Sequence, residues 1–201
     1  LRHLVLASGN PDKLRELREI LRDLEFDVIP VGEIVENWDV EETGHTLEEN
    51  ALLKARVASE ATGLPAVADD TGLFVSALGG APGIYAARYA GSGCSYEDNV
   101  TKLLTVLKGE SGESRNAVFR TAAALVIPGN GEYVVKGEVS GFITEKPSGE
   151  GGFGYDPVFF LPELGMTFAE SPAERKNAVS HRAKAFRALG KKIEEVLSSS
   201  L

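Results

Sequence analysis

Apolar residues along the chain come in two rhythms, short continuous runs and longer stretches with a three-to-four-residue repeat. The run at 3–7, "HLVLA", predicts a strand. After it, Leu14, Leu17, Leu21 and Leu24 fall on one helical face, with Asn10 as N-cap and Pro11 in the first helical position. "FDVIP" at 26–30 predicts a second strand. Thr46-Leu47-Glu48-Glu49 matches a capping box and opens a helix reaching about Thr62. Ala66-Val67-Ala68 predicts a buried strand that ends at two adjacent acids, Asp69 and Asp70, with Thr71-Gly72 as a turn.

A further apolar run, "LFVSALGGAPG", leads into a Gly/Pro turn, and Tyr96 to Lys108 reads as a helix stopped by Gly109. Two β-type runs flank Gly129-Asn130-Gly131 and predict a hairpin. "SGEGGFGYDPVFF" is a glycine-rich loop entering a strand, and a helix follows from Ser180. Strand–helix units mixed with an antiparallel hairpin predict an α/β fold on a mixed sheet.

The 201 residues suit a single domain, 1–201, with two lobes at most. No run of 18 apolar residues occurs, and the N-terminus is too short and polar to read as a signal sequence. The single cysteine, Cys94, excludes an internal disulfide framework and a Cys-based zinc site. These features predict a soluble cytoplasmic protein. A net charge of −9 argues against nucleic-acid binding, which needs broad basic patches, but leaves room for a small phosphorylated ligand on a few local cations.

Four stretches carry candidate chemistry. Ser8, Gly9, Asn10, Pro11, Asp12 and Lys13 join a strand to a helix N-terminus, a natural anion site. Lys13 adds a cation to the positive end of the helix dipole, which is unfavourable without an anion; a solvated lysine is the plainer reading. "VSHRAKAF" breaks the same rule with Ser180 as N-cap and His181, Arg182 and Lys184 in the first turn, and Lys176 lies just before. Two such violations in an acidic chain suit a polyphosphate.

The third stretch is the acid pair. Neighbours on a strand point to opposite faces, so one acid, taken as Asp70, should face a site while Asp69 bonds to the Thr71-Gly72 turn. Glu41 or Glu42 could supply a second carboxylate for Mg²⁺, which takes hard oxygen ligands together with substrate phosphates. The fourth is the glycine-rich loop. Gly149, Gly151 and Gly154 fit G-x-G-x-x-G, but a strand follows rather than a helix, so the dinucleotide reading fails. The loop instead presents Phe153 and Tyr155 with Asp156 beside them, an aromatic and an acid that suit a purine.

Together, "LASGNPDKLREL", "EETGHTLEENALLKA", "ADDTGLFVSALGGAPGIYAARYAG", "GGFGYDPVFF" and "SHRAKAF" resemble the inosine triphosphate pyrophosphatases, or XTP/dITP diphosphatases, across almost the whole chain. The resemblance implies an elongated mixed sheet flanked by helices, with a nucleotide cleft between two lobes, Mg²⁺ dependence and a homodimer. It implies hydrolysis of XTP, ITP and dITP to the monophosphate and pyrophosphate by attack at the α-phosphorus, which cleanses the nucleotide pool. By position, Ser8–Lys13 match the triphosphate-binding turn, and Asp70 the general base and a metal-associated carboxylate. Glu42 matches the other acid and Thr71 a substrate contact. Phe153, Gly154, Tyr155, Asp156, Lys176, His181 and Arg182 match the residues that hold the base and the rest of the nucleotide.

Three rivals are weighed against it. A Maf-like pyrophosphatase for pyrimidine or modified nucleotides is opposed by "FGYDPVFF" and "SHRAKAF". A nucleotide sensor would not need Asp70, Glu42 and Lys13 together. A protein acting on inosine-containing strands conflicts with the net charge of −9.

Overall fold

The computed structural model describes residues 2–22 and 26–198, and Leu24, expected on the first helix, lies outside them. The eight strands are β1 (Arg2–Leu6), β2 (Phe26–Pro30), β3 (Ala66–Val75), β4 (Pro82–Gly83), β5 (Asn116–Ile127), β6 (Gly131–Ile143), β7 (Phe159–Leu161) and β8 (Met166–Thr167). They form one mixed sheet in the order β2-β1-β3-β5-β6-β7-β8, with β4 beside β3. Among the described residues, five α-helices accompany it: α1 (Pro11–Ile20), α2 (Leu47–Thr62), α3 (Tyr96–Val106), α4 (Ala173–Val179) and α5 (His181–Ser198).

The residues divide into two compact units. The first comprises Leu1–Asp70, Thr121–Gly137 and His181–Leu201, and the second Thr71–Arg120 and Glu138–Ser180. In the first, β1 runs parallel to both β2 and β3. Leu17 within α1 and Leu21 just past its end pack with Leu4, Leu6, Val28, Val67, Phe186 and Leu189 into a core. The α1 start signals act as expected, with the Asn10 side chain accepting the Asp12 N–H at 2.9 Å. At α2, Thr46 accepts the Glu49 N–H at 3.1 Å, but the Glu49 carboxylate reaches His45 N–H rather than closing the box on Thr46.

Gly137 shows how closely α5 approaches β6. A Cβ there would lie 2.1 Å from the His181 carbonyl oxygen and 2.5 Å from the Ala185 nitrogen. Backbone cannot yield that distance, so only glycine lets the first turn of α5 lie on the strand.

The second unit has its own core of Leu73, Val75, Leu103, Leu107, Phe119, Phe159 and Phe168. Each such side chain is worth about 1.5–3 kcal/mol of transfer free energy. Helix α3 opens on a reciprocal capping box between Ser95 and Asp98. The hairpin of β5 and β6 turns around Gly129 and Asn130 as expected.

Two further features depart from the sequence reading. Strand β3 does not end at Asp69-Asp70: it continues through Thr71 and Gly72 to Val75, so the acids lie inside a strand and no turn follows them. Helix α4 was not foreseen, since its seven residues span too little chain to set up a periodic face. Among the described residues, no helix is long and apolar enough to cross a membrane.

Candidate active site

Alternation along β3 sends the two acids to different partners within the first unit. Asp69, 2% exposed, meets Lys13 at 3.1 Å and Arg182 Nε at 3.2 Å. Arg182 also places a second guanidinium nitrogen 2.6 Å from Glu16 Oε2. Burial alone would raise the Asp69 pKa, but Lys13, Arg182 and Lys54 together hold it well below the usual carboxylate range. Arg182 is held protonated by Asp69 and Glu16 against the cost of its own burial.

Lys13 and Arg182, two of the cations that break the charge rule, therefore already have an acid partner inside the protein. Lys13 and Arg182 converge on Asp69, where the sequence reading gave each an external anion. The Thr71-Gly72 turn expected as the Asp69 partner does not exist, and the two cations take that place.

Asp70, 7% exposed, has a different setting. Its Oδ2 accepts from the Asn50 amide at 3.2 Å, and its Oδ1 lies 3.4 Å from Lys54 Nζ. Asn50 is itself fixed, because its Oδ1 accepts the Gly44 N–H at 2.8 Å. Lys54 Nζ also touches Glu42 Oε1 at 2.6 Å and the Asp69 carbonyl oxygen at 2.9 Å. Lys13 Nζ donates to that same carbonyl at 3.3 Å.

Burial raises the Asp70 pKa and nearby Glu42 adds to it, against the opposing pull of Lys54. Burial also lowers the Lys13 pKa, with Lys54 and Arg182 reinforcing it against Asp69. Burial would lower Lys54 as well, yet Asp70, Glu42 and Asp69 outweigh it and the net direction is upward. Two ammonium groups thus share one carbonyl oxygen beside a carboxylate that is reluctant to ionise. Such a cluster suits an incoming polyanion and a proton acceptor.

The sequence reading missed three members, Glu16, Asn50 and Lys54. A signal for two of them was present. The inner face of α2 runs Leu47, Asn50, Ala51, Lys54, Ala55, Ala58, so two polar residues interrupt an apolar helical stripe. Glu16 is the buried neighbour of Leu17 on α1.

The rest of the Ser8–Lys13 turn is organised locally. Ser8 Oγ accepts the Asn10 N–H at 3.2 Å, Asp12 pairs with Arg15 at 2.8 Å, and Gly9 faces open space where a Cβ would stand. Pro11 begins α1. His181 is buried at the start of α5.

The second unit holds a separate cluster. Lys176, 5% exposed, lies 2.7 Å from Asp156 Oδ2 and over the rings of Phe153 (5.2 Å) and Phe168 (5.7 Å). The same Asp156 oxygen accepts the Phe153 N–H at 2.9 Å, fixing the loop. Within the second unit Lys176 therefore groups with the glycine-rich loop. Gly152, at φ +69, has Asp156 Oδ2 only 2.0 Å from where a Cβ would stand. That glycine serves a close approach of the loop to its own acid.

Gly154 is also at positive φ, with open space beside it. Tyr155 does not join the cluster: it is buried in the core and its hydroxyl donates to Ala86 O at 2.8 Å. Burial, with a smaller contribution from Tyr89, holds its pKa above the ordinary tyrosine value. Thr71 is half-buried on β3, directly after Asp70.

Among the described residues, no group of three or more His, Cys, Asp and Glu is arranged to hold a metal. Glu42 and Asp70 nevertheless aim hard oxygens at a single cation, the Lys54 ammonium. That donor set fits Mg²⁺, which commonly takes one or two carboxylates and completes its shell with phosphate oxygens and water.

The sequence profile of the Ham1 family matches residues 4–192. A protein from Geobacter sulfurreducens named dITP/XTP pyrophosphatase is 52% identical over 182 residues, covering 90% of this chain and 92% of that one. One of the same name from Bacillus subtilis is 44% identical, covering 96% and 98%. The solved structure of a HAM1 protein from Coxiella burnetii superposes with a TM-score of 0.87 at 42% identity, covering 97% of this chain and all of the other.

Proposed function

The chain belongs to the Ham1 family, and on that premise we propose that it hydrolyses noncanonical purine nucleoside triphosphates (XTP, ITP, dITP) to the monophosphate and pyrophosphate. Relatives named dITP/XTP pyrophosphatase support the substrate class. The observation that carries the reading within this chain is the split of the acid pair. Asp69 is committed to two cations, while Asp70 sits beside Lys54 with its pKa raised, as a general base requires.

Lys13, Lys54 and the N–H groups of the Ser8–Lys13 turn receive the phosphates, and their fixed positive potential favours the charge that builds up during transfer. Asp70 orients a water in line with the α-phosphorus and takes its proton. Mg²⁺ would be held by Glu42 and Asp70 together with phosphate oxygens, and would offset charge on the phosphates. Thr71, next to Asp70, is an additional substrate contact. In-line attack at the α-phosphorus gives pyrophosphate as one product.

Phe153 stacks the base, and Gly154 leaves room beside it. Lys176 donates to a 6-oxo group, while Asp156 accepts from N1–H. Adenine offers an amino group and a bare N1 to the same pair and leaves both unsatisfied, a mismatch that discriminates strongly. His181 and Arg182 complete the nucleotide contacts, Arg182 mainly by fixing Asp69. Tyr155 supports the loop from the core. Residues 1–201 act as a single catalytic domain. The same reading makes the protein a cytoplasmic homodimer, which sedimentation would test.

A product assay with Mg²⁺ tests the function, offering dITP, XTP, dATP and dGTP separately. Pyrophosphate from dITP and XTP is expected, with little from dATP, which mismatches the Lys176–Asp156 pair, or from dGTP, whose 2-amino group must be excluded by contacts outside that pair. Orthophosphate, no turnover, or equal rates on all four would contradict the reading.

A further inference from the structure

We propose that Lys54 is a built-in counter-cation for the metal-binding carboxylates: it holds Glu42 and Asp70 together when no metal is bound and competes with the divalent ion for them. The inference rests on the reading of Glu42 and Asp70 as metal ligands. Its basis is the assignment of individual oxygens. Asp70 Oδ2 is taken by the Asn50 amide at 3.2 Å, which leaves Oδ1 as the oxygen turned to a cation, and Lys54 Nζ lies 3.4 Å from it. The same nitrogen is 2.6 Å from Glu42 Oε1.

A divalent ion that binds at Asp70 Oδ1 and Glu42 Oε1 competes for these oxygens with an ammonium that is only 11% exposed. Two cations at such a spacing repel strongly in a partly buried setting. Lys54 must therefore move as the metal enters, which its flexible four-carbon stem permits. It keeps a partner on the way out, since the Asp69 carbonyl already accepts from it at 2.9 Å. An incoming phosphate would give it a better one. Metal and nucleotide should then help one another bind, because the phosphate receives the ammonium that the metal displaces.

The test is a Mn²⁺ titration of nucleotide-free protein, with free Mn²⁺ read by electron paramagnetic resonance. Wild type is compared with Lys54→Met, which keeps length without charge, and Lys54→Arg, which keeps charge. Removing the competing charge should tighten Mn²⁺ binding by about tenfold or more in Lys54→Met, and Lys54→Arg should stay near wild type. Melting in EDTA should show Lys54→Met less stable than wild type, with a larger gain on adding Mn²⁺. Folding of Lys54→Met only when Mn²⁺ is present would also support the claim.

Equal or weaker Mn²⁺ binding by a folded Lys54→Met overturns the inference, as does a variant unfolded with and without Mn²⁺. Binding by wild type that Glu42→Gln leaves undiminished, or no binding by any protein, overturns the metal-ligand reading itself. That result is separable from the first, in which wild type binds through Glu42 and Lys54 makes no difference.

Discussion

Adjacent aspartates on one strand reach opposite protonation behaviour through their neighbours alone. Asp69 has a strongly depressed pKa, so its contribution to stability is complete above the unfolded value near 4 and is lost as pH falls toward the folded one. Asp69→Asn leaves Lys13 and Arg182 buried with less opposing charge. Breaking a buried pair from one side costs about 3–5 kcal/mol, which in a chain of this size lowers Tm by roughly 10 °C. Calorimetry at pH 7 checks this. Asp70 has the opposite sign: its folded pKa is raised, so ionising it above the unfolded value opposes folding. Asp70→Asn should lose about 10²–10⁴ in turnover yet melt above wild type at pH 7, with the difference closing as pH approaches 4. A loss of both activity and stability at pH 7 would contradict the assignment.

Elements whose signals are local were legible in the sequence. Asn10 and Pro11 start α1, Thr46 caps α2, and the 129–131 turn joins β5 to β6. Where distant residues decide, the sequence was silent or misleading. Strand β3 was cut short at Asp69 because two acids look like a strand end, yet partners on α1, α2 and α5 let them lie inside it. Tyr155 read as a ligand aromatic because nothing nearby shows that its hydroxyl reaches Ala86, 69 positions away. The approach of α5 to β6 is likewise invisible in a lone glycine. Gly137→Ala should destabilise by about 1–3 kcal/mol or more, since the obstructing atoms are backbone. It should also disturb the first turn of α5, which carries Arg182, and so lower turnover. A Tm within 1 °C of wild type would refute this close-packing account.

At the scale of the whole molecule, a chain of net charge −9 gathers buried and half-buried cations around carboxylates. Lys13, Lys54 and Arg182 surround the acid pair, and Lys176 stands with Asp156 and Phe153. Sequence order located most of these cations, and the fold shows Lys176 beside the glycine-rich loop and adds Lys54 to the acids. In the proposed reaction the acid-pair cluster activates a water against the α-phosphorus, and that point of attack is the central claim. Hydrolysis of dITP in ¹⁸O-labelled water tests it most directly, with mass spectrometry of both products. Label in the monophosphate, and none in pyrophosphate, is the predicted result, because the water activated by Asp70 bonds to the α-phosphorus. Label in pyrophosphate or in orthophosphate would place the attack elsewhere and contradict the account.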